Sequence, residues 1–359
     1  MDRGGAMESI YYAMCWACHR KCKHCYEDRF RPYVRAELER VVAEAEANGP
    51  RIVANLPDDM TFLDLESPDP DAPGGYARKV GRIIVSGGEV LVEPARERVL
   101  YLTLERLRDR YGPKGAKIVV QTTGDLLTEQ ILDDLLERGV WMISVAGMDD
   151  FHVGMEGERR VPLVERLEAM FGRAGVERSG LRTDRRKWQD EDGPLYSMFG
   201  ATPDAWIGRI WPRGRGWSND LSKATITDNF CNAWSGGLGF LNHRLSGSEV
   251  AIDPAGDVYP CCLKTKVSVG NLTEEPLLDI LESLVGVPAF EAIATGHPER
   301  MGLSHGWEVE TFVERSRTKT VGGRDYRNLC VGCDRFHLEV LGPVIADLRR
   351  QRLALRAAA

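Results

Sequence analysis

Between Cys25 and Cys231 the chain contains no cysteine. Its nine cysteines form a front group, Cys15, Cys18, Cys22 and Cys25, and a rear group, Cys231, Cys261, Cys262, Cys330 and Cys333. Also missing is any run approaching the roughly 20 apolar residues that span a bilayer, so no membrane segment is expected. The opening MDRGGAMESI lacks the apolar segment of a signal peptide. These absences place the chain, as an expectation, in a reducing cytoplasm. An odd number of cysteines there points to metal ligands or redox groups rather than a disulfide framework. Positive charge is not in excess either: 47 Lys and Arg face 54 Asp and Glu, and a net charge of −7 gives no global reason for a nucleic-acid partner. There is no internal repeat, and no low-complexity tract beyond the short turn region PDPDAPGG.

What is present is enough apolar residue, 43% of 359, to bury a substantial core in two domains or in one large α/β domain with an extension. The cysteine-free stretch alternates strand and helix patterns. SIYYAM is an apolar run leading into the front cysteines, after which Val34, Leu38, Val41, Val42 and Ala45 follow helical spacing. GRIIVSGGE is a second strand ended by glycines, and the next helix carries Leu100, Leu104, Leu107 and Tyr111 on one face. AKIVVQTTG, LTEQILDDLLERG and VWMISVAG continue as strand, helix and strand, with Gly139 placed to stop the helix. Successive β-α units imply a parallel sheet, because each helix returns the chain to the same edge. Further on, RSGLRTDRRKWQDEDGPLYSMFG reads as a long charged loop, and AWIGRIWPRGRGW as the last strand of the sheet.

The front cysteines therefore lie on the loop at the carboxyl end of the first strand, the side on which parallel α/β folds and barrels place their chemistry. The other strand ends add Gly87 to Glu89, Thr122 to Asp125, and Ser144 to Asp150, all expected to face one cavity. Three thiolates at Cys18, Cys22 and Cys25 suit three irons of a [4Fe–4S] cluster and leave the fourth iron open, whereas an electron-transfer cluster takes four cysteines. A zinc site with His24 as a further ligand is the alternative, but His24 lies between two of the cysteines and competes with them sterically. Cys15 falls outside the triplet and reads as a small buried hydrophobe. Thr122, Thr123 and Ser144 are either site residues or strand-end hydrogen bonders, and His152 is either near the substrate or an ordinary loop histidine.

The spacing Cys-x3-Cys-x2-Cys followed by an aromatic, here Tyr26, resembles the signature of the radical S-adenosylmethionine (radical SAM) superfamily. The resemblance implies an α/β fold with a partial (β/α)6 TIM-like barrel over 9–216, followed by a C-terminal auxiliary iron–sulfur extension over 217–341 and a helix over 342–359. It implies that Cys18, Cys22 and Cys25 hold a catalytic [4Fe–4S] cluster whose open iron is chelated by S-adenosylmethionine. Gly87, Gly88 and Glu89 match a second family element, in which the glycines let the backbone approach the methionine moiety and the acidic residue or adjacent backbone accepts its ammonium. Tyr26 would meet the adenine through its main chain, and Thr122 and Ser144 would contribute small polar contacts to the cofactor.

The rear group has its own layout. Gly256 precedes Cys261 by five residues in GDVYPCC, VGNL follows, and CVGC supplies Cys330 and Cys333. This resembles the SPASM and twitch auxiliary-cluster extensions. A full SPASM domain uses seven cysteines for two clusters; with five here, the resemblance implies one auxiliary [4Fe–4S] cluster on Cys231, Cys261, Cys330 and Cys333, closer to the twitch arrangement. Cys262 would point away from Cys261, as neighbours in an extended chain do, and is a ligand, a proton or hydrogen-atom donor, or a buried residue. A structural zinc site is the alternative for this group.

The implied activity is reductive cleavage of S-adenosylmethionine to a 5′-deoxyadenosyl radical, which abstracts a substrate hydrogen. The auxiliary cluster then serves an oxidation or bond formation, as in an oxidoreductase or maturase fed by an electron donor such as flavodoxin or ferredoxin. Two other readings compete: transfer of the aminocarboxypropyl group by cleavage of a different carbon–sulfur bond, and a non-catalytic iron–sulfur or zinc scaffold or redox sensor. Arg182, Arg185, Arg186, Arg209, Arg213 and Arg215 suffice to hold a carboxylate or phosphate, with surface arginine as the plainer explanation. Only about ten residues precede the first strand, which favours a small metabolite, or a peptide delivered by another protein.

Overall fold

The computed structural model describes residues 6–180, 190–201, 209–233 and 236–358. In chain order the elements are β1 (Met7–Ala13), α1 (Arg35–Ala54), β2 (Thr61–Pro68), β3 (Tyr76–Val80), β4 (Arg82–Ser86), α2 (Tyr101–Tyr111), β5 (Lys117–Thr122), α3 (Glu129–Glu137), β6 (Met142–Val145), α4 (Val161–Arg173), β7 (Glu177–Arg178) and β8 (Leu195–Met198). The last part adds α5 (Gly214–Ser218), β9 (Ser248–Ile252), β10 (Asp257–Tyr259), β11 (Gly270–Asn271), α6 (Leu277–Leu284), α7 (Pro288–Ala294), α8 (Val309–Arg315), β12 (Arg317–Lys319), β13 (Asp325–Arg327), α9 (Leu329–Phe336) and α10 (Gly342–Ala358). Among the described residues no helix is long and apolar enough to cross a membrane.

Nine strands form one sheet in the order β11-β10-β9-β1-β4-β5-β6-β8-β7. The pairs from β9 through β1, β4, β5 and β6 to β8 are all parallel. This is the α/β architecture with a largely parallel sheet that the alternating pattern implies, and the sheet is open rather than closed. Side chains along each strand alternate between its two faces. Ile83, Val85, Val120 and Ile143 share the main core with Val42, Leu104, Leu132 and Leu167 of the crossover helices. On the opposite face Tyr11, Ile84, Val119, Met142 and Leu195 form a separate row. The register runs Tyr11 to Ile84, Ile84 to Val119, Val119 to Met142 and Met142 to Leu195. Two residues further along each strand on that same face come Ser86, Gln121, Ser144 and Ser197, so the row turns polar where the strands end.

Three expectations change. Leu195–Met198, read as loop, is strand β8, which extends the parallel array beyond β6. Its four residues are almost wholly buried, so they carry no apolar/polar alternation, and a charged stretch precedes them. In AWIGRIWPRGRGW, residues 202–208 lie outside the described residues; 209–213 are irregular and 214–218 form the short helix α5 rather than a strand. Finally, PDPDAPGG is the turn of the hairpin β2–β3, whose strands the pattern reading passed over. Beyond residue 216 the sheet does not stop: β9 lies along β1, with Tyr12 opposite Ile252, and Phe240, Phe290, Phe312 and Phe336 join the same core as β1.

Candidate functional site

The front cysteines occupy the loop that leaves β1, and the Gly87–Glu89 segment leaving β4 lies directly against it. Gly88 N–H donates to Cys15 O at 3.1 Å and Glu89 N–H to Ala17 O at 2.9 Å. A Cβ on Gly87 would sit 2.7 Å from Cys15 O, and one on Gly88 would sit 2.3 Å from Ala17 O and 2.8 Å from Cys18 Cβ. The glycines are thus demanded by contact with the cysteine loop itself, a close approach that no side chain permits. Cys15 is buried, its thiol pushed up to about 11 by that burial, as suits a core residue.

Glu89 is almost completely buried, and its carboxylate is fully engaged. Oε1 accepts from Leu91 N–H at 3.0 Å and Thr122 Oγ1 at 2.7 Å; Oε2 accepts from Thr123 N–H and Thr123 Oγ1, both at 2.7 Å. One side chain therefore ties the end of β4 to the end of β5. Next to it, Asp125 takes His19 Nε2 and Arg20 Nη2, each at 2.7 Å. Burial alone would raise Asp125; the hydrogen bonds from His19 and Thr123 and the charge of Arg20 hold it well below the usual carboxylate range. On the other wall Tyr26 OH lies 3.3 Å from Tyr11 OH, which lies 2.8 Å from Ser86 Oγ, and Trp211 meets the Tyr26 ring edge to face.

These groups border one cavity, lined by Cys18, Cys22, Cys25, Tyr26, Gly87, Gly88, Glu89, Thr122 and Thr123. Ser144 is not in its lining; its hydroxyl is buried 3.1 Å from Ser197 Oγ, a cross-strand pair between β6 and β8. Cys262 of the rear group, however, does line it.

His152 and the strand end through Asp150, named separately in the sequence, come together with His24 at the front cavity. Asp149 is fully buried, with Oδ1 accepting from Phe151 N–H, His152 N–H and His152 Nδ1, and Oδ2 from Ala201 N–H at 2.6 Å. An ionised carboxylate only accepts, so His152 donates to it from Nδ1. The His24 ring stands 4.4 Å from that of His152, and burial together with His152 pushes His24 down to about 4. His24, Asp149 and His152 each bring a ligand atom within 4.8 Å of the others, which is a possible cation donor set. With four N–H donors already on Asp149, a hydrogen-bonded carboxylate–histidine pair describes them better. The run GMDDFH holds the signal, an acidic residue three before a histidine at a strand end.

The four rear cysteines expected to act together, Cys231, Cys261, Cys330 and Cys333, line a second, smaller cavity. Two are set by the same device: Asn229 Oδ1 accepts from Cys231 N–H and Asn328 Oδ1 from Cys330 N–H, each at 3.0 Å. Asn328 is fully buried and donates to Thr225 O and Asp228 O, which fixes α9 against the segment before Cys231. The repeated Asn-x-Cys of DNFC and RNLC was the available signal.

Arg213 and Arg215 are each tied to a cysteine site, and Arg215 also lines the front cavity. Arg213 lines the rear cavity and donates Nη2 to Asp334 Oδ1 at 2.8 Å. Arg215 donates to three carbonyls of the front loop, Cys22 O at 2.8 Å, Asp28 O at 3.0 Å and Phe30 O at 2.7 Å. Arg209 pairs with Asp228 at 2.9 Å at the edge of the front cavity. Arg182, Arg185 and Arg186 lie outside the described residues.

The donor sets distinguish one metal from several. Tetrahedral zinc at about 2.3 Å from each thiolate sets sulfurs roughly 3.8 Å apart. Among the described residues the histidine–aspartate set is the one group of three ligand atoms within 4.8 Å of one another, so neither cysteine group closes on a single zinc. Four sulfurs spread around a cavity, beside a buried Arg213 Nε with no partner, fit a larger group with acceptor sulfurs.

Residues 245–299 match the family model of SPASM, an iron–sulfur cluster-binding domain. The auxiliary-cluster layout around Gly256 and Cys261 is thereby borne out over that stretch. No curated protein matches the chain. Among solved structures the chain is similar to BtrN in complex with AdoMet and 2-DOIA, at 15% identity and a TM-score of 0.44 over 81% of this chain and 88% of that one. It is also similar to Streptococcus suis SuiB bound to precursor peptide SuiA, at 12% and 0.40 over 81% and 67%. A third is anSMEcpe with bound AdoMet, at 14% and 0.39 over 95% and 98%.

Proposed function

We propose that this chain is a radical SAM enzyme that uses a rear [4Fe–4S] cluster in an oxidation or bond formation on a small metabolite or peptide. The observation that carries the reading is the contrast between the two sites. Cys18, Cys22 and Cys25 open onto a large cavity, whereas Cys231, Cys261, Cys330 and Cys333 surround a small one of their own. Three ligands beside a roomy cavity suit a cluster that binds a cofactor; four around a small one suit a cluster that only exchanges electrons. The front cluster with S-adenosylmethionine would supply a 5′-deoxyadenosyl radical, with its electron from a flavodoxin- or ferredoxin-like donor in the cytoplasm.

The chain's own residues would do the rest. The backbone at Gly87 and Gly88, the Glu89 charge, Thr122 and the main chain at Tyr26 would hold the cofactor. Oxidation removes a proton as well as a hydrogen atom and an electron, and His152 Nε2, with its ring held by Asp149, would be a group in the cavity wall placed to accept it. In this reading the front ligands belong to 9–216 and the rear ligands to 217–341, with Cys262 reaching the front cavity and Arg213 the rear one.

Anaerobically reconstituted protein, given S-adenosylmethionine and a strong reductant, should release 5′-deoxyadenosine. Methylthioadenosine would instead indicate aminocarboxypropyl transfer, and no nucleoside product at all would leave a metal scaffold or sensor.

A further inference from the structure

We propose that Arg213 is the residue that sets the rear cluster's reduction potential, raising it so that this cluster accepts an electron rather than serving as a structural staple. The proposal rests on the reading of the rear site as a [4Fe–4S] cluster. Its basis is the placement of one cation. The Arg213 side chain is 11% exposed and lines the cavity formed by Cys231, Cys261, Cys330 and Cys333. One guanidinium nitrogen, Nη2, is held by Asp334, and Nη1 lies 3.1 Å from Pro212 O. The third, Nε, is buried with no partner. An unpaired guanidinium N–H inside protein is costly, and the acceptors this cavity is built to hold are sulfurs.

Arg213 feels Cys330, Cys333 and Cys261 electrostatically, after Asp334. Reduction makes a cluster one unit more negative, so a fixed positive charge and an N–H donor at its sulfurs both favour the reduced form. Asp334 opposes this. It follows Cys333 in sequence, is 16% exposed, and also has Lys266 Nζ 4.0 Å away. His337, fully buried, is pushed down to about 3 by burial and by the Arg213 charge, so it stays neutral and adds no second cation. Arg213 and Asp334 thus form an opposed pair, and removing either should move the potential in opposite directions. Simple loosening of the site would not produce that pattern.

The test is an EPR-monitored redox titration of full-length protein in which Cys18, Cys22 and Cys25 are all replaced by alanine, so that the rear cluster is observed alone. Arg213→Gln should lower the equilibrium constant for reduction at least tenfold, a fall of about 59 mV for one electron. Arg213→Lys should fall less, keeping the charge and losing the Nε donor. Asp334→Asn should shift the potential upward. Unchanged midpoints in both Arg213→Gln and Asp334→Asn, with iron and sulfide retained, would overturn the proposal. If Arg213→Gln fails to hold its cluster, the direction of the Asp334→Asn shift decides. Zinc in place of iron and sulfide in the rear site of the otherwise unaltered protein would sink the cluster reading itself, an outcome separate from an unresponsive potential.

Discussion

Arg213 and Arg215, two residues apart, serve opposite cysteine sites: the first lies with Asp334 against the rear cysteines, the second grips the backbone of the front loop. Gly214 between them has φ +50°, and a Cβ there would stand 2.5 Å from the carbonyl carbon of Tyr26. Only glycine lets the segment turn while lying flat on the front loop. A shift of this short stretch would therefore disturb both sites.

The clamp predicts a selective loss. Arg215→Ala removes three charge-assisted hydrogen bonds from a loop with no regular structure of its own, so the front cluster should be lost first. Iron should fall from about eight to about four per chain, the remainder being the rear cluster. Equal loss from both sites, measured as iron together with the rear cluster's EPR signal, would show that Arg215 supports the fold in general.

Contact between the two front loops predicts contrasting alanine variants. Gly88→Ala forces a methyl to within 2.3 Å of a backbone oxygen, where no flexible side chain can yield. It should cost about 1 to 3 kcal/mol and the front cluster with it. Gly172→Ala in α4 meets nothing within 4 Å, and its φ is not in the positive region. That variant should be stabilising by about 0.5 to 1 kcal/mol through helix propensity and a less flexible unfolded chain. Thermal unfolding of the pair checks both signs.

Glu89 combines two roles that substitution can separate. Glu89→Ala strands Leu91 N–H, Thr123 N–H and the Thr122 hydroxyl, while Thr123 Oγ1 keeps Asp125, at a cost of about 2 to 4 kcal/mol, and should also weaken S-adenosylmethionine binding. Glu89→Gln keeps the shape and loses the charge, so it should unfold closer to wild type yet bind the cofactor as weakly as the alanine variant. Equilibrium titration beside a melting curve distinguishes them; full affinity in Glu89→Gln would confine Glu89 to bracing Thr122 and Thr123.

Much of this was legible because it is local. The Cys18, Cys22, Cys25 spacing, the glycines after RIIVS and the β-α alternation are short-range patterns, and the sheet order aligned their strand ends. What escaped depends on partners far away in sequence. Nothing near Arg213 announces Asp334, and nothing near Arg215 announces Phe30, so both arginines looked available for a ligand. Ser144, which the register pairs with Gln121 and not with Thr122, faces the other side of the sheet and finds Ser197 on β8, a strand too short and too uniformly buried to be read. The carboxylate of Glu89 looked free because its donors follow a different strand.

Buried His337 predicts acid sensitivity. Both ring nitrogens lack partners, and its pKa falls from an unfolded value near 6.5 to about 3. Between those pH values the unfolded chain binds the extra proton, so stability contributed by the neutral ring is complete above 6.5 and drains as pH falls toward 3. At pH 5 that is about 2 kcal/mol. His337→Phe removes both unpaired nitrogens and should flatten this slope in urea unfolding at pH 7.5 and pH 5. An identical slope in the variant would assign the acid sensitivity elsewhere.

The two sites should also separate by half-reaction. If the front site makes the radical and the rear site takes the electron, loss of a rear ligand should spare the first step. Cys330→Ala, Cys333→Ala and Cys231→Ala should still release 5′-deoxyadenosine under strong reductant and fail to complete product. Cys22→Ala should do neither. Folding is the confounder, since Asn328 and Asn229 hold their cysteines in segments that a rear cluster would crosslink, and losing that link removes its support from the region. Circular dichroism and iron content must accompany each assay. Well-folded rear variants unable to cleave S-adenosylmethionine, beside a Cys22→Ala protein that still does, would reverse the assignment of the two sites.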